Sequence, residues 1–215
     1  MASLTDSVFI LVVVLDLFLL SSSRLNAAIR GVALQGALLS ALPPLISTSE
    51  HDTAHTLLLA VGALLIKAVA IPWLLFRAIR EAAIRREMEP VVGFVPSMIL
   101  GAAGIALAFV LSRGLPLPSA GQHAFIVPTA LSTVWTGLLL VVARKKAVTQ
   151  VMGFLVLENG VFVFGMLLTG IMPTMIEAGV LLDLFVAVFV MGIVMFHINR
   201  EFSSLDTAKL STLKD

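Results

Sequence analysis

Glu158 lies in VMGFLVLENGVFVFGMLL, an apolar run of membrane-spanning length that holds no other charge. Asp183 interrupts the equally apolar GVLLDLFVAVFVMGIVMF, and Asp16 and Lys67 repeat the pattern nearer the N-terminus. An ionised side chain at bilayer depth costs roughly 2.5–3.5 kcal/mol on insertion scales. Four such residues point to proton or ion handling inside a membrane, or to partners that shield them. Burial poises carboxyl groups to exchange protons near neutral pH, so Glu158 and Asp183 are the first candidates for a relay. Lys67 is either an electrostatic group that responds to nearby carboxylates or the ion-pair partner of Asp16 or Glu158. Asp16, followed by Ser21, Ser22 and Ser23, reads as the more structural of the four.

The composition sets where these residues must work. Hydrophobic residues make up 59% of the 215-residue chain, charged residues 13%, and the mean hydropathy is +1.07. Soluble domains are about 45–50% apolar and about 25% charged, so the sequence is that of an integral membrane protein. The basic residues, in a chain of formal net charge +1, are spread over several loops with no block resembling a nucleic-acid patch. The absence of cysteine excludes disulfides, thiolate metal sites, iron–sulfur clusters and cysteine nucleophiles.

Seven apolar spans are expected, at about 5–23, 29–48, 54–79, 91–112, 122–143, 148–171 and 177–198. All must be helical, since backbone polar groups cannot go unpaired in lipid. Pro43, Pro72, Pro96 and Pro128 fall in or near these spans, and each is expected to free a carbonyl and favour a kink. The first span lacks the basic leader of a signal peptide and carries Asp6, so it is expected to remain as a transmembrane helix.

Basic residues orient the bundle. Of the 14 lysines and arginines, all but Lys67 and Arg113 fall in the loops after the odd-numbered spans or in the tail. The N-terminus is therefore expected outside and the C-terminus in the cytoplasm. LSRGLPLPSAGQH, rich in Gly and Pro, is the candidate division. It separates a four-helix part (1–112) through a connecting loop (113–121) from a three-helix part (122–199), with a polar tail at 200–215. On this topology, at 1.5 Å per residue, Glu158 sits roughly 15 Å deep, near mid-membrane. Lys67 and Asp16 are close to the middle of their spans, and Asp183 is about 8–10 Å below the outer surface. The two carboxylates of the last spans are thus staggered in depth.

Other chemistries fit less well. His51 and His55 stand four apart near the outer boundary with His123, and His197 is alone on the cytoplasmic side. They read as interfacial polar residues, not as paired haem ligands or a metal site. No phosphate-binding glycine loop, nucleophile elbow or HExxH motif is present, and no covalent chemistry is expected of this chain. The small residues Gly101 and Gly104, Gly153 and Gly160, Gly179 and Gly192 suit close helix approach.

The stretches VTQVMGFLVLENGVFVFGMLL and EAGVLLDLFVAVFVMGIVMFHINRE resemble the hydrogenase-4 component E family of membrane subunits. HTLLLAVGALLIKAVAIPWLLFRAIR, with Lys67, Pro72 and Arg77, resembles it too, so the likeness covers nearly the whole chain. The C-terminal three helices are in turn similar to the small K subunit of respiratory complex I. The resemblance implies a non-catalytic membrane-arm subunit of a group 4 [NiFe]-hydrogenase-like complex in a prokaryotic cytoplasmic membrane. It implies antiporter-like membrane partners and a peripheral redox module on the cytoplasmic side, with the NiFe and iron–sulfur centres in those partners and no cofactor in this chain. It further implies that Glu158, with Asp183 as a plausible counterpart of a second buried acid, belongs to a path for protons or sodium. Lys67 and Asp16 have no counterpart in the three-helix subunit. A purely structural membrane anchor and a stand-alone secondary transporter are the competing readings.

Overall fold

The computed structural model describes residues 2–46, 53–81, 91–114 and 125–166, together with the single positions Phe185, Phe189 and Gly192. The expected seventh span, Asp183, His51, His123 and His197 lie outside the described residues. Every regular element among the described residues is helical: α1 (Ala2–Ser21), α2 (Leu25–Ser40), α3 (Leu42–Ile46), α4 (Thr53–Leu65), a π-helical turn (Ile66–Ala70), α5 (Ile71–Glu81), α6 (Phe94–Ser112), α7 (Ile126–Ala143) and α8 (Ala147–Met166). Among the described residues, six stretches are long and apolar enough to cross a membrane: Leu4–Ser21, Leu25–Leu45, Ala60–Arg80, Phe94–Ser112, Ile126–Ala143 and Val148–Met166. The protein is an all-α integral membrane protein.

The prolines act differently from the sequence-based expectation that each favours a kink. Pro43, Pro96 and Pro128 fall in the first turns of α3, α6 and α7. There the missing N–H has no intrahelical partner to lose, so these prolines start helices instead of bending them. Only Pro72 follows a continuous run of helix. Its ring crowds the carbonyl four residues earlier and its nitrogen cannot donate. The chain immediately before it widens into the π-helical turn, closed by Ile71 N–H donating to the Ile66 carbonyl.

Helix pairing relies on small residues, because lipid offers no hydrophobic drive for helices to associate. α7 and α8 form an antiparallel hairpin in which Gly153 and Gly160 face the α7 backbone. A Cβ at Gly160 would lie 2.6 Å from Val134 N, and one at Gly153 would lie 2.7 Å from Val141 N. Seven residues along one helix thus match seven back along the other. α6 is the least enclosed span, with Val95, Ile99 and Val110 exposed. It is tied to α7 by the Trp135 indole N–H, which donates to the Leu100 carbonyl at 3.1 Å.

One end of the bundle is fastened by Arg144, a residue the sequence places among the topology-setting loop charges. Its side chain is 1% exposed. Nη2 donates to the Leu20 carbonyl in the last turn of α1 at 2.8 Å, and Nη1 to the Val92 carbonyl just before α6 at 3.4 Å. The guanidinium also stacks 4.6 Å from the Phe94 ring centroid. A cation at the C-terminal end of α1 complements the partial negative charge of its carbonyls. Burial draws the Arg144 pKa below the ordinary arginine value, yet an arginine stays protonated in proteins. The adjoining Ala143 carbonyl accepts from Val91 N–H at 2.8 Å, so α1, α6 and α7 meet at one knot.

Arg144→Met is expected to lower stability by about 2–3 kcal/mol, the worth of hydrogen bonds made by a buried charged donor. Lys145→Met, at an exposed neighbour, should stay within about 0.5 kcal/mol. Unfolding of the two variants in mixed detergent micelles measures the difference.

Candidate functional site

Two apolar clusters fill the bundle, and a polar layer separates them. The first contains Leu19, Leu20, Val32, Ile71, Leu140 and Val156 among its members. The second contains Phe9, Val12, Leu39, Ala130 and Val163. Along α1 the order is Val12, Asp16, Leu19; along α2 it is Val32, Gln35, Leu39. α7 passes from Ala130 through Thr133 to Leu140, and α8 from Val156 through Glu158 and Asn159 to Val163. Each helix contributes its polar residues at the step between the clusters, one turn or so from apolar neighbours on the same face.

Within the layer the side chains form a continuous chain. Lys67 Nζ lies 3.9 Å from Glu158 Oε1 and donates to Asn159 Oδ1 at 3.1 Å. Asn159 Nδ2 donates to Gln35 Oε1 at 3.2 Å, and Gln35 Nε2 donates to Asp16 Oδ1 at 2.9 Å. The second oxygen of Asp16 accepts from the Thr133 hydroxyl at 2.7 Å. Asp16 and Gln35 are fully buried, Glu158 is 3% exposed and Lys67 7%. The Lys67 ammonium also stands 5.1 Å from the Phe162 ring centroid, a cation–π distance. At 3.9 Å the Lys67–Glu158 attraction is on the order of 4 kcal/mol for an effective dielectric constant near 20. That is comparable with the insertion cost of a single charge, so the amides and hydroxyl are needed to hold the remainder.

Lys67 reaches this position through two backbone devices. It sits in the π-helical turn, where the helix is wider by one residue than its neighbours, a feature common at functional sites. It also faces Gly36 of α2, where an added Cβ would lie 2.8 Å from Lys67 Cβ. The glycine therefore lets the lysine stem pass directly over the α2 backbone. A small cavity of about 10 Å³, close to the room one water needs, touches Lys67, Asn159, Gly36 and Pro72.

Three of the four sequence-based candidates, Asp16, Lys67 and Glu158, come together in this layer, and Asp183 lies outside the described residues. Lys67 pairs with Glu158 at ion-pair distance and reaches Asp16 through Asn159 and Gln35. Asp16 receives the hydrogen-bond chain from Lys67 at one oxygen and the Thr133 hydroxyl at the other. Sequence reasoning by charge alone missed Gln35, Thr133 and Asn159. The available signal was an uncharged amide in each of two apolar spans, and a hydroxyl face on α7, where Thr129, Ser132, Thr133 and Thr136 recur at helical spacing and are all fully buried.

The fold and this layer define a multi-pass, all-α membrane protein with a buried ionisable network. Comparison with known proteins then gives its kinship. The chain is 37% identical over 194 residues to the uncharacterized protein Rv0085 of Mycobacterium tuberculosis, covering 89% of this chain and 87% of that one. It belongs to the same family as that protein. A more distant relationship links it to hydrogenase-4 component E of Escherichia coli K12, at 26% identity over 158 residues, 74% of this chain and 73% of the relative. Hydrogenase-4 component E of Shigella flexneri matches to the same extent. No family model matches the sequence, and no solved structure matches it.

Gly36→Leu is expected to displace Lys67 and destabilise the protein by about 1–3 kcal/mol, as overpacking does. Gly62→Leu is the control, since among the described residues a Cβ there meets nothing within 4 Å. Thermal unfolding of both in detergent tests the contrast.

Proposed function

We propose that this chain is a non-catalytic membrane subunit of an energy-converting, hydrogenase-like redox complex, and that its buried polar layer takes part in moving protons or sodium ions. The observation that carries the reading is the connected layer of Glu158, Lys67, Asn159, Gln35 and Asp16, held between two apolar clusters. The kinship with hydrogenase-4 component E supports it. Intramembrane ionisable residues that face the bundle interior and pair with one another are typical of proton and ion pathways. In the proposed mechanism a redox-driven change in a partner module alters the protonation of Glu158. Lys67 moves with the charge it faces, and the proton passes to a neighbouring antiporter-like membrane subunit. Asp183 is proposed as the second carboxylate on the same route, as expected from the K-subunit-like sequence of the C-terminal helices. The NiFe and iron–sulfur centres are assigned to peripheral partner subunits on the cytoplasmic side.

Glu158→Gln keeps the shape of the side chain and removes its charge and exchangeable proton. In inverted vesicles carrying the assembled complex, electron transfer is expected to continue while redox-driven proton uptake falls several-fold. Undiminished uptake would overturn the translocation role. Lost assembly with normal coupling of the residual complex would favour a structural anchor. Purification in gentle detergent addresses the other alternative, because a stable lone monomer is what a stand-alone transporter predicts.

The distribution of basic residues supports a prokaryotic cytoplasmic membrane location with the N-terminus outside. The chain has no cysteine, so single cysteines report topology without background. Ser23→Cys and Lys145→Cys are expected to react with an impermeant maleimide only from the cytoplasmic side, and Arg113→Cys only from outside. The reversed pattern would invert the assignment.

A further inference from the structure

The hydrogen bonds of the polar layer all point one way. A lysine ammonium can only donate, and an ionised carboxylate can only accept. Lys67 therefore requires the Oδ1 of Asn159, and Asp16 requires the Nε2 of Gln35. Each amide has one accepting and one donating end, so Asn159 must present Nδ2 to Gln35 Oε1, the contact observed at 3.2 Å. Reversing either amide alone would set donor against donor or acceptor against acceptor in a buried site, where a lost hydrogen bond is not replaced by water. The two amides keep their direction together or exchange it together.

We propose that Gln35 and Asn159 are positioning residues that form a polarised bridge, through which the charge state of Asp16 sets whether Lys67 is held by Asn159 or released toward Glu158. Among the described residues, three charged residues face one another across the layer: Asp16 of α1, Lys67 of the π-helical turn and Glu158 of α8. The uncharged contacts are Gln35 of α2, Thr133 of α7, and Asn159 and Phe162 of α8. With Asp16 ionised, both amide dipoles run from the lysine to the carboxylate and hold the ammonium on Asn159. A proton on Asp16 Oδ1 turns that oxygen from acceptor into donor. It then bonds Gln35 Oε1, Gln35 offers Nε2 to Asn159 Oδ1, and Asn159 is left facing the ammonium with Nδ2. Donor meets donor, and Lys67 moves to the carboxylate whose Oε1 is already 3.9 Å away. No proton travels along the bridge, because an amide exchanges orientation and not a proton. Asp16 gains one proton and Lys67 keeps its own; only position is transmitted.

The use of this coupling in transport rests on the proposed function above, but the coupling is a property of the folded chain and is tested without transport. The full chain in lipid bilayers, labelled with ¹⁵N at lysine and ¹³C at glutamate, is read by solid-state nuclear magnetic resonance, with Lys67→Met identifying the Lys67 signal. Asp16→Asn imitates the neutral, donating form of Asp16. It is expected to shift the Lys67 Nζ resonance and to strengthen its dipolar contact with the Glu158 carboxyl carbon. In an Asn159→Leu background, or with Gln35→Met should that chain fail to insert, Asp16→Asn is expected to leave the Lys67 resonance unmoved. A Lys67 signal indifferent to Asp16→Asn with the bridge intact overturns the inference, and so does an equal shift with the bridge cut. Normal proton uptake by Glu158→Gln together with a bridge-dependent shift would sink the transport reading alone. Uncoupling by Glu158→Gln without such a shift would sink the bridge alone.

Discussion

Everything in this bundle answers to one constraint: charge placed between two apolar clusters must be met chiefly by side chains, since lipid cannot meet it. Asp16 takes a hydrogen bond at each carboxylate oxygen, and Lys67 finds an amide oxygen, a carboxylate and an aromatic face. Removing one member of such a buried set strands its partner, which typically costs 3–5 kcal/mol. The layer therefore helps fix the rotation and depth of α1, α2, α7 and α8, since a hydrogen bond displaced by one helical turn is lost.

That demand explains where the backbone departs from regular helix. A lysine stem needs room beside a neighbouring backbone, and Gly36 supplies it on α2. The same lysine lies in the π-helical turn that precedes Pro72. Ser40 donates to the Gly36 carbonyl at 2.8 Å, which anchors the glycine-containing turn just before α2 ends and α3 begins with its two prolines. Arg144 performs the equivalent service at the end of the bundle, occupying carbonyls that the ends of α1 and the approach to α6 leave open. These are satisfied backbone groups and not surface charges, which is why an arginine can be buried there.

Six of the seven expected spans, and Asp16, Lys67 and Glu158 within them, were legible in the sequence because both are local: twenty apolar residues declare a helix, and an acid or lysine within them declares an anomaly. The polar network was not, because its members are brought together by helix rotation. Gln35 and Asn159 carry no charge and cost far less to insert than Glu158, so scanning for expensive residues passes over them, although they complete the chain that links Lys67 to Asp16. The prolines were misread for a related reason. Their effect depends on whether the residue lies in the first turn, and a span boundary uncertain by a few residues cannot distinguish Pro96 and Pro128, which start helices, from Pro72, which disturbs one.

Depth along the membrane was the axis on which the sequence arranged its acids, with Glu158 central and Asp183 nearer the outside. The described residues add an axis at right angles to it. Asp16, Gln35, Asn159, Lys67 and Glu158 succeed one another across the bundle, from α1 to α8, while apolar clusters close the layer above and below. A lateral row of polar groups is suited to a subunit that receives a change of charge at one side and passes its effect to a neighbour at the other. Hydrogen bonds whose polarity reverses as a unit suit that task better than a water-filled passage, since they transmit a change of state without leaking the ion.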